Sequence, residues 1–315
     1  MAQPLPEPPA PSLAQGIAII LATVFAMALT DALIKLASSG MPLWQIWVLR
    51  SGIVLPVLLV ATGGRVLAPG QGRGDLGWIA LRSLALVAQY ICLYAVLPLI
   101  DMALAGAAFY TAPFFIAGLA ALVLGNRILP GHWLAIATGF AGLLVILRPF
   151  GADFTPLVLM PVAAALFYAV AAIVTRARCA KTPALLLALW LNLTCLAGGL
   201  VLAALGAMFQ TPDWTFFLFG PWHPTVAKDW GLVLVLAVLI LGVAVGLAKA
   251  YQNPRPEVIA VFDYGYMVFV VFWGFVFFGE RPDGWTVLGV VLIVAGGLAM
   301  VLIKDRGGDR GGRKA

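Results

Sequence analysis

The chain has 315 residues, of which 63% are hydrophobic and only 10% are charged, and its mean hydropathy is +1.04. Soluble domains carry about 25% charged residues, so this composition excludes a soluble protein and indicates an integral membrane protein. The formal net charge of +6 does not indicate nucleic-acid binding, because the 19 Lys and Arg residues are scattered among apolar runs and form no basic face.

The two ends of the chain differ in composition from everything between them. Residues 1–12 are rich in proline, contain no Lys or Arg and are followed by no cleavage pattern, which predicts a disordered N-terminal tail and not a signal peptide. Residues 304–315 are charged and rich in glycine, which predicts a disordered C-terminal tail.

Ten apolar runs lie between the tails, each close to the roughly 20 residues that cross ~30 Å of hydrocarbon as a helix. The predicted spans, numbered first to tenth, are 13–38, 42–62, 77–98, 102–124, 132–148, 156–177, 182–207, 230–251, 257–279 and 283–303. The sequence therefore predicts an all-α integral membrane fold with ten transmembrane helices.

The sequence also repeats itself. A shift of 154 positions lays residues 75–148 on 229–302 without a gap, and it places Gly125-Asn126-Arg127 on Gly279-Glu280-Arg281. Such self-similarity indicates two copies of one structural unit, predicted at 13–148 and 156–303. Each copy has five spans, so the second must enter the membrane in the opposite orientation. Inverted repeats are typical of secondary transporters, whose substrate site lies where the repeats meet.

The basic residues predict the orientation. With a cytoplasmic N-terminus, 13 Lys and Arg residues fall on the inner side, five fall on the outer side, and Arg82 lies within the third span. This bias predicts a multi-pass protein of the cell inner membrane with both termini in the cytoplasm.

Three motifs stand out in the sequence: the paired Gly-x-Arg segments with a glycine-rich helix after Glu280-Arg281, a Phe-Tyr-Thr-Ala-Pro113 segment in the fourth span, and Arg148-Pro149 after the fifth. Together these motifs resemble those of EamA-type members of the drug/metabolite transporter superfamily. The resemblance implies two inverted five-helix repeats around a central cavity walled by the first, third, fourth, sixth, eighth and ninth spans. The first copy departs from the family pattern, with Asn126 where Glu is usual.

That departure affects the interpretation of the second copy. A role that needs two matching carboxylates is not supported, so Glu280 is interpreted as a capping residue of the tenth span, where a carboxylate meets free backbone N–H groups. Arg281 beside it is interpreted as structural. Gly142 and Gly296 occupy equivalent positions and are expected to let helices approach closely.

Charged residues inside the first spans are candidates for ion pairing or for the substrate path. Asp31 and Lys35 are four residues apart on one helix face, and Arg50 in the second span competes for the same carboxylate. We expect Asp31 to be held by Lys35 or Arg50. The open alternatives are a structural ion pair, direct lining of the substrate path by Asp31, and snorkelling of Lys35 to the interface.

Near the cytoplasmic side, Lys249 and Asp263 lie at a similar depth, and Tyr264 is the repeat equivalent of Tyr110. Asp263 could couple substrate occupancy to a proton if Lys249 approaches it; a permanent Lys249–Asp263 bridge is the alternative. The other candidates for the substrate path are Gln89, Tyr90, Tyr94, Tyr110, Tyr168 and Tyr264. Arg82 and Arg176, near helix ends, are expected to snorkel.

The predicted function is secondary transport of a small organic metabolite by alternating access. The cargo could be amino-acid-like, nucleoside- or cofactor-like, or a xenobiotic, with a proton as a possible coupled ion. Three unpaired cysteines and two isolated histidines indicate no disulfide, metal or cofactor site. An intramembrane enzyme is disfavoured because no mid-membrane catalytic pair is present, and a channel because no filter signature appears. The sequence does not indicate the oligomeric state.

Overall fold

The computed structural model describes residues 13–67, 72–124, 130–148, 155–208, 216–251 and 262–302. The two predicted tails lie outside these ranges. Within them the chain is helical and contains no strand. The helices are α1 (Leu13–Ala37), α2 (Leu43–Ala61), α3 (Arg73–Val96), α4 (Met102–Phe109), α5 (Ala112–Leu124), α6 (Pro130–Leu147), α7 (Leu159–Arg178), α8 (Ala184–Met208), α9 (Phe216–Phe219), α10 (Ala227–Tyr251), α11 (Gly265–Phe278) and α12 (Gly284–Leu302).

Ten apolar helical segments among the described residues correspond to the ten predicted spans. Seven are long and apolar enough to cross a membrane, and three shorter apolar helices lie within α6, α11 and α12. The all-α membrane fold is therefore confirmed. The ninth helix begins at Gly265, later than the predicted 257, and residues 252–261 lie outside the described part of the chain.

The fourth span is broken into two helices. Pro113 has no N–H to continue the helical ladder, and its ring would clash with the carbonyl of Phe109, where α4 ends. The Thr111 hydroxyl donates to the carbonyl of Ala108 over 2.7 Å, which satisfies one of the carbonyls freed by the break. The break places Tyr110 in the turn between α4 and α5.

The main helix contacts of one half have counterparts in the other half. The equivalent pairs α6–α12 and α2–α8 each pack together. The contact of α3 with α7 is matched by that of α10 with α1, and the contact of α4 and α5 with α7 is matched by that of α11 with α1. This pattern is that of two related five-span units around a two-fold pseudo-axis.

The α6–α12 pair depends on glycine at its crossing. A Cβ atom added to Gly142 would lie 2.7 Å from the carbonyl oxygen of Gly289, and one added to Gly296 would lie 2.7 Å from that of Ala135. Both obstacles are backbone atoms, which cannot move aside as a flexible side chain can. Close backbone approach through small residues is a common way of packing helices in lipid.

Candidate functional site

A cavity of about 590 Å³ lies between the two halves. Its walls come from α1, α3, the broken span α4–α5, α7, α10 and the segment leading into α11, which are the six spans that the family resemblance implied. Eight of the ten candidate substrate-path residues line it: Asp31, Gln89, Tyr90, Tyr94, Tyr110, Tyr168, Asp263 and Tyr264.

Asp31 is held by one tyrosine from each half of the protein. The Tyr94 hydroxyl of α3 donates to Oδ1 over 2.9 Å, and the Tyr266 hydroxyl of α11 donates to Oδ2 over 2.5 Å. An ionised carboxylate away from bulk water needs such donors, because its desolvation is otherwise costly. Asp31 is thus a polar bridge between the halves at one end of the cavity.

The expectation that Lys35 or Arg50 holds Asp31 is wrong. The Lys35 ammonium reaches away from Asp31 and donates to Glu280 Oε1 over 2.5 Å and to the carbonyl of Ile100 over 2.7 Å. Arg50 of α2 is only 3% exposed and lies within reach of the Cys195 thiol of α8. The spacing of four residues places Lys35 on the same helix face as Asp31. Its side chain nevertheless extends towards the end of α1, to Ile100 and Glu280, and does not line the cavity.

Glu280 caps a different helix from the one expected. Its Oε2 accepts the backbone N–H of Met102 over 2.7 Å, at the first turn of α4, while α12 is capped by Asp283, whose Oδ1 accepts the Thr286 N–H over 2.9 Å. The reason is the left-handed turn at Gly279, which has φ of 66° and ends α11. The turn directs Glu280 back over α11 and towards the neighbouring span.

Glu280 therefore connects three elements: the end of α1 through Lys35, the start of α4 through Met102, and the segment before α12. This cluster lies one helical turn beyond Asp31, past the α1 residues that line the cavity. The Lys35 ammonium also lies 5.0 Å from the Phe278 ring. The cluster joins the two halves at this end of the cavity.

The cavity walls are rich in flat aromatic surface. Tyr90 and Tyr94 stack with ring centroids 5.6 Å apart and an interplanar angle of 8°, and Tyr110 and Tyr266 stack at 5.2 Å and 15°. The Tyr110 hydroxyl donates to the backbone carbonyl of Asp263 over 3.1 Å. Tyrosine offers an apolar face with a polar tip, which suits an amphipathic, planar organic solute.

The predicted approach of Lys249 to Asp263 is also wrong. Lys249 is exposed near the end of α10 and lies outside the cavity lining, and within the described residues it forms no ion pair with Asp263. Asp263 lines the cavity from the turn that precedes α11. The prediction rested on a similar depth for the two residues, and depth alone does not determine whether two side chains on different helices face each other.

Two residues of the site were missed or misassigned. Tyr266 was not a candidate, and the repeat gave no signal for it because its equivalent, 154 positions earlier, is Ala112. Arg176, expected to snorkel, lines the cavity. Arg82 instead donates to Thr175 Oγ1 over 3.0 Å and to the carbonyl of Leu187 over 3.3 Å, so it links α3 to α7 and α8.

Comparisons with known proteins agree with this architecture. The model of the EamA-like transporter family matches residues 14–148 and again 155–302. The pseudopaline exporter CntI of Pseudomonas aeruginosa (strain UCBPP-PA14) is 27% identical over 292 residues, covering 91% of this chain and 96% of its own. A riboflavin transporter of Vibrio cholerae is 25% identical over 283 residues, covering 89% of this chain and 90% of its own.

Two further similarities are more limited. An S-adenosylmethionine uptake transporter of Rickettsia prowazekii is 25% identical over 192 residues, 61% of this chain and 60% of its own. One solved crystal structure of a protein superposes with a TM-score of 0.58 at 24% identity, covering 90% of this chain and 95% of its own, which supports the fold alone. The family match and the helices together identify a multi-pass membrane transporter of small molecules and not an enzyme.

Proposed function

The chain belongs to the EamA-like transporter family, and from that premise we propose that it is a secondary carrier which moves a small organic metabolite by alternating access. The relatives are named for pseudopaline, riboflavin and S-adenosylmethionine, which supports a polar organic metabolite as cargo. We place the protein in the cell inner membrane with both termini in the cytoplasm, on the bias of its Lys and Arg residues.

The observation that carries this proposal is the position of Asp31. Its two oxygens accept hydrogen bonds from Tyr94 in the first half and Tyr266 in the second, inside the cavity between the halves. A cargo donor group that binds Asp31 competes with these hydroxyls and so changes the contact between the halves. A ligand shifts a conformational equilibrium only through such a difference in contacts between the two states.

The ion pair beyond Asp31 supports a carrier in preference to a channel. Lys35 and Glu280 are each 11% exposed and connect the halves at one end of the cavity. A channel provides a continuous path, whereas a carrier keeps one end closed while the other is open. We infer that the Lys35–Glu280 end is the closed, outer end in this conformation.

We also propose that a proton is the coupled ion, carried by one of the two cavity carboxylates. Asp31 faces the hydroxyls of Tyr94 and Tyr266, and Asp263 lies beside Tyr264 with its carbonyl bound by Tyr110. The sequence favours Asp263 as the proton carrier on the condition that Lys249 lies beside it. Lys249 does not lie beside Asp263, so this argument does not favour Asp263 over Asp31. Transport measured with and without a pH gradient in Asp31→Asn and Asp263→Asn separates the two.

Substrate counterflow in proteoliposomes tests the carrier itself. Vesicles loaded with pseudopaline, riboflavin or S-adenosylmethionine are diluted into the labelled compound, and transient accumulation above equilibrium is expected for at least one of them or for a compound of the same kind found in a metabolite screen. Asp31→Asn should reduce it, and the exposed Asp101→Asn serves as the matched control. Flux without counterflow would indicate a channel and contradict the proposal.

A further inference from the structure

Lys35 and Arg176 lie at corresponding places near the ends of the first helices of the two halves. The family match begins at residue 14 in the first half and at residue 155 in the second, and each basic residue stands 21 positions after that start. Each also lies two residues before the end of its helix, at Ala37 in α1 and Arg178 in α7. Because the halves are inverted, the two cations mark opposite ends of the cavity.

The two cations have different surroundings. Lys35 is paired with Glu280, but the residue 154 positions before Glu280 in the sequence is Asn126, which carries no charge. Arg176 is exposed, lines the cavity and forms no ion pair in the described part of the chain. The second half thus supplies the cation Arg176, while the first half has Asn126, and no carboxylate, at the position equivalent to Glu280.

Asp31 and Arg176 lie at different levels of the cavity, and the Asp263 carboxylate also lines it, from the turn that precedes α11. At ~1.5 Å per residue, Asp31 lies about 9 Å from the outer end of α1 and Arg176 about 3 Å from the inner end of α7, which leaves roughly 18 Å between their levels across ~30 Å of hydrocarbon. The stacked tyrosine pairs lie among the residues that line this space.

We propose that Arg176 binds an anionic group of the cargo, a carboxylate or a phosphate, at the mouth of the cavity. The preferred cargo is then an elongated, largely planar molecule with a hydrogen-bond donor or cationic group at the Asp31 end and the anion at the Arg176 end. A guanidinium can hold either anion through two parallel hydrogen bonds, which favours Arg for this role. This inference rests on the proposed carrier function and specifies its substrate class.

The test identifies cargo without assuming it. Proteoliposomes of phosphatidylcholine containing the full chain are incubated with a deproteinised small-molecule extract of host cells, and accumulated compounds are identified by mass spectrometry. Compounds accumulated by the wild type and not by Asp31→Asn are the cargo. We expect them to carry a carboxylate or phosphate, and we expect Arg176→Gln to lower their accumulation at least about tenfold while Arg176→Lys retains part of it.

Arg178→Gln is the matched control. Arg178 is exposed at the same end of α7 and lies 4.9 Å from the Trp78 ring, outside the cavity lining. It should leave accumulation unchanged. Cargo without an anionic group, or wild-type accumulation by Arg176→Gln, would overturn the proposal while leaving the carrier function intact; no accumulation of any compound by the wild type would instead count against the carrier function.

The headgroup of an anionic lipid is the alternative partner for the Arg176 guanidinium. Varying the lipid composition of the proteoliposomes distinguishes it from an anionic group on the cargo. An effect of Arg176→Gln that is present in pure phosphatidylcholine supports an anion on the cargo. An effect that appears only after phosphatidylglycerol is added identifies a lipid headgroup as the partner and rejects the proposal.

Discussion

Lys35 and Glu280 form an ion pair with 2.5 Å between Nζ and Oε1, and it joins the end of α1 to the segment before α12. Only 11% of each side chain is exposed. Because the pair lies at the end of the cavity beyond Asp31, we expect it to affect both the stability of the protein and access to the cavity, and the two effects can be measured separately.

Glu280→Gln should destabilise the protein more than a surface charge change does. The amide oxygen can still accept from Met102, but the Lys35 ammonium loses its countercharge, and breaking a buried pair costs about 3–5 kcal/mol. We expect Glu280→Gln and Lys35→Met to lower the thermal unfolding temperature in detergent, with a coupling of about 1–3 kcal/mol in the double mutant. The exposed Lys228→Met is the control. Additive effects of the two changes would show that the pair is not an energetic unit.

Tyr266→Phe should impair transport more than Tyr94→Phe. Tyr266 makes the shorter bond to Asp31, 2.5 Å against 2.9 Å, and a hydrogen bond to a charged group contributes about 1.5–3 kcal/mol. Counterflow and thermal stability measured on both variants test the order. Tyr168→Phe, a cavity tyrosine without a hydrogen bond to Asp31 in the structure, should change neither quantity by a comparable amount. Equal behaviour of all three variants would mean that Asp31 does not depend on these hydroxyls.

Gly296→Ala should destabilise the α6–α12 pair. The new Cβ would lie 2.7 Å from the carbonyl oxygen of Ala135 and 2.8 Å from the backbone nitrogen of Gly139, so the helices must separate, which costs about 1–3 kcal/mol as overpacking does. Gly52→Ala in α2 is the matched control, because no atom lies within 4 Å of its added Cβ, and alanine favours the helix by up to about 1 kcal/mol. Opposite shifts in unfolding temperature are therefore expected.

Asp283 should contribute stability that depends on pH. The hydrogen bond with Thr286, and to a smaller extent the one with Arg148, lowers the pKa of the Asp283 carboxyl from 3.8 to about 2. A group whose pKa is lowered by folding stabilises the protein above its usual pKa, and this contribution is lost as pH falls through the range from about 4 to 2. Because the carboxyl is exposed, the contribution is at most about 1 kcal/mol.

The comparison of wild type with Asp283→Asn tests this assignment. A small difference in unfolding temperature is expected at pH 7, and it should vanish near pH 2. A difference that stays constant over that range would show that the charge of Asp283 does not contribute.

The spans were predictable from sequence because hydrocarbon thickness sets their length locally. α1, predicted as 13–38, is Leu13–Ala37, and the break in the fourth span coincides with Pro113. Partners within the site were not predictable in the same way. Asp31 and Tyr266 are 235 residues apart, so their contact depends on the register of two packed helices. The turn at Gly279 likewise decided which helix Glu280 caps, and a glycine's φ cannot be inferred from apolar periodicity.

The self-paired contacts α6–α12 and α2–α8 have a further consequence for the energetics of the proposed carrier. When two inverted halves exchange roles, α6 takes the place of α12 and α2 takes the place of α8, so these two contacts are retained. The Lys35–Glu280 pair is different, because Asn126 stands at the position equivalent to Glu280. Substitutions such as Gly296→Ala should therefore raise the free energies of the outward-open and inward-open states by similar amounts and leave their populations nearly unchanged. Glu280→Gln should favour the outward-open state, so the sequence asymmetry between the halves sets the resting population of the carrier.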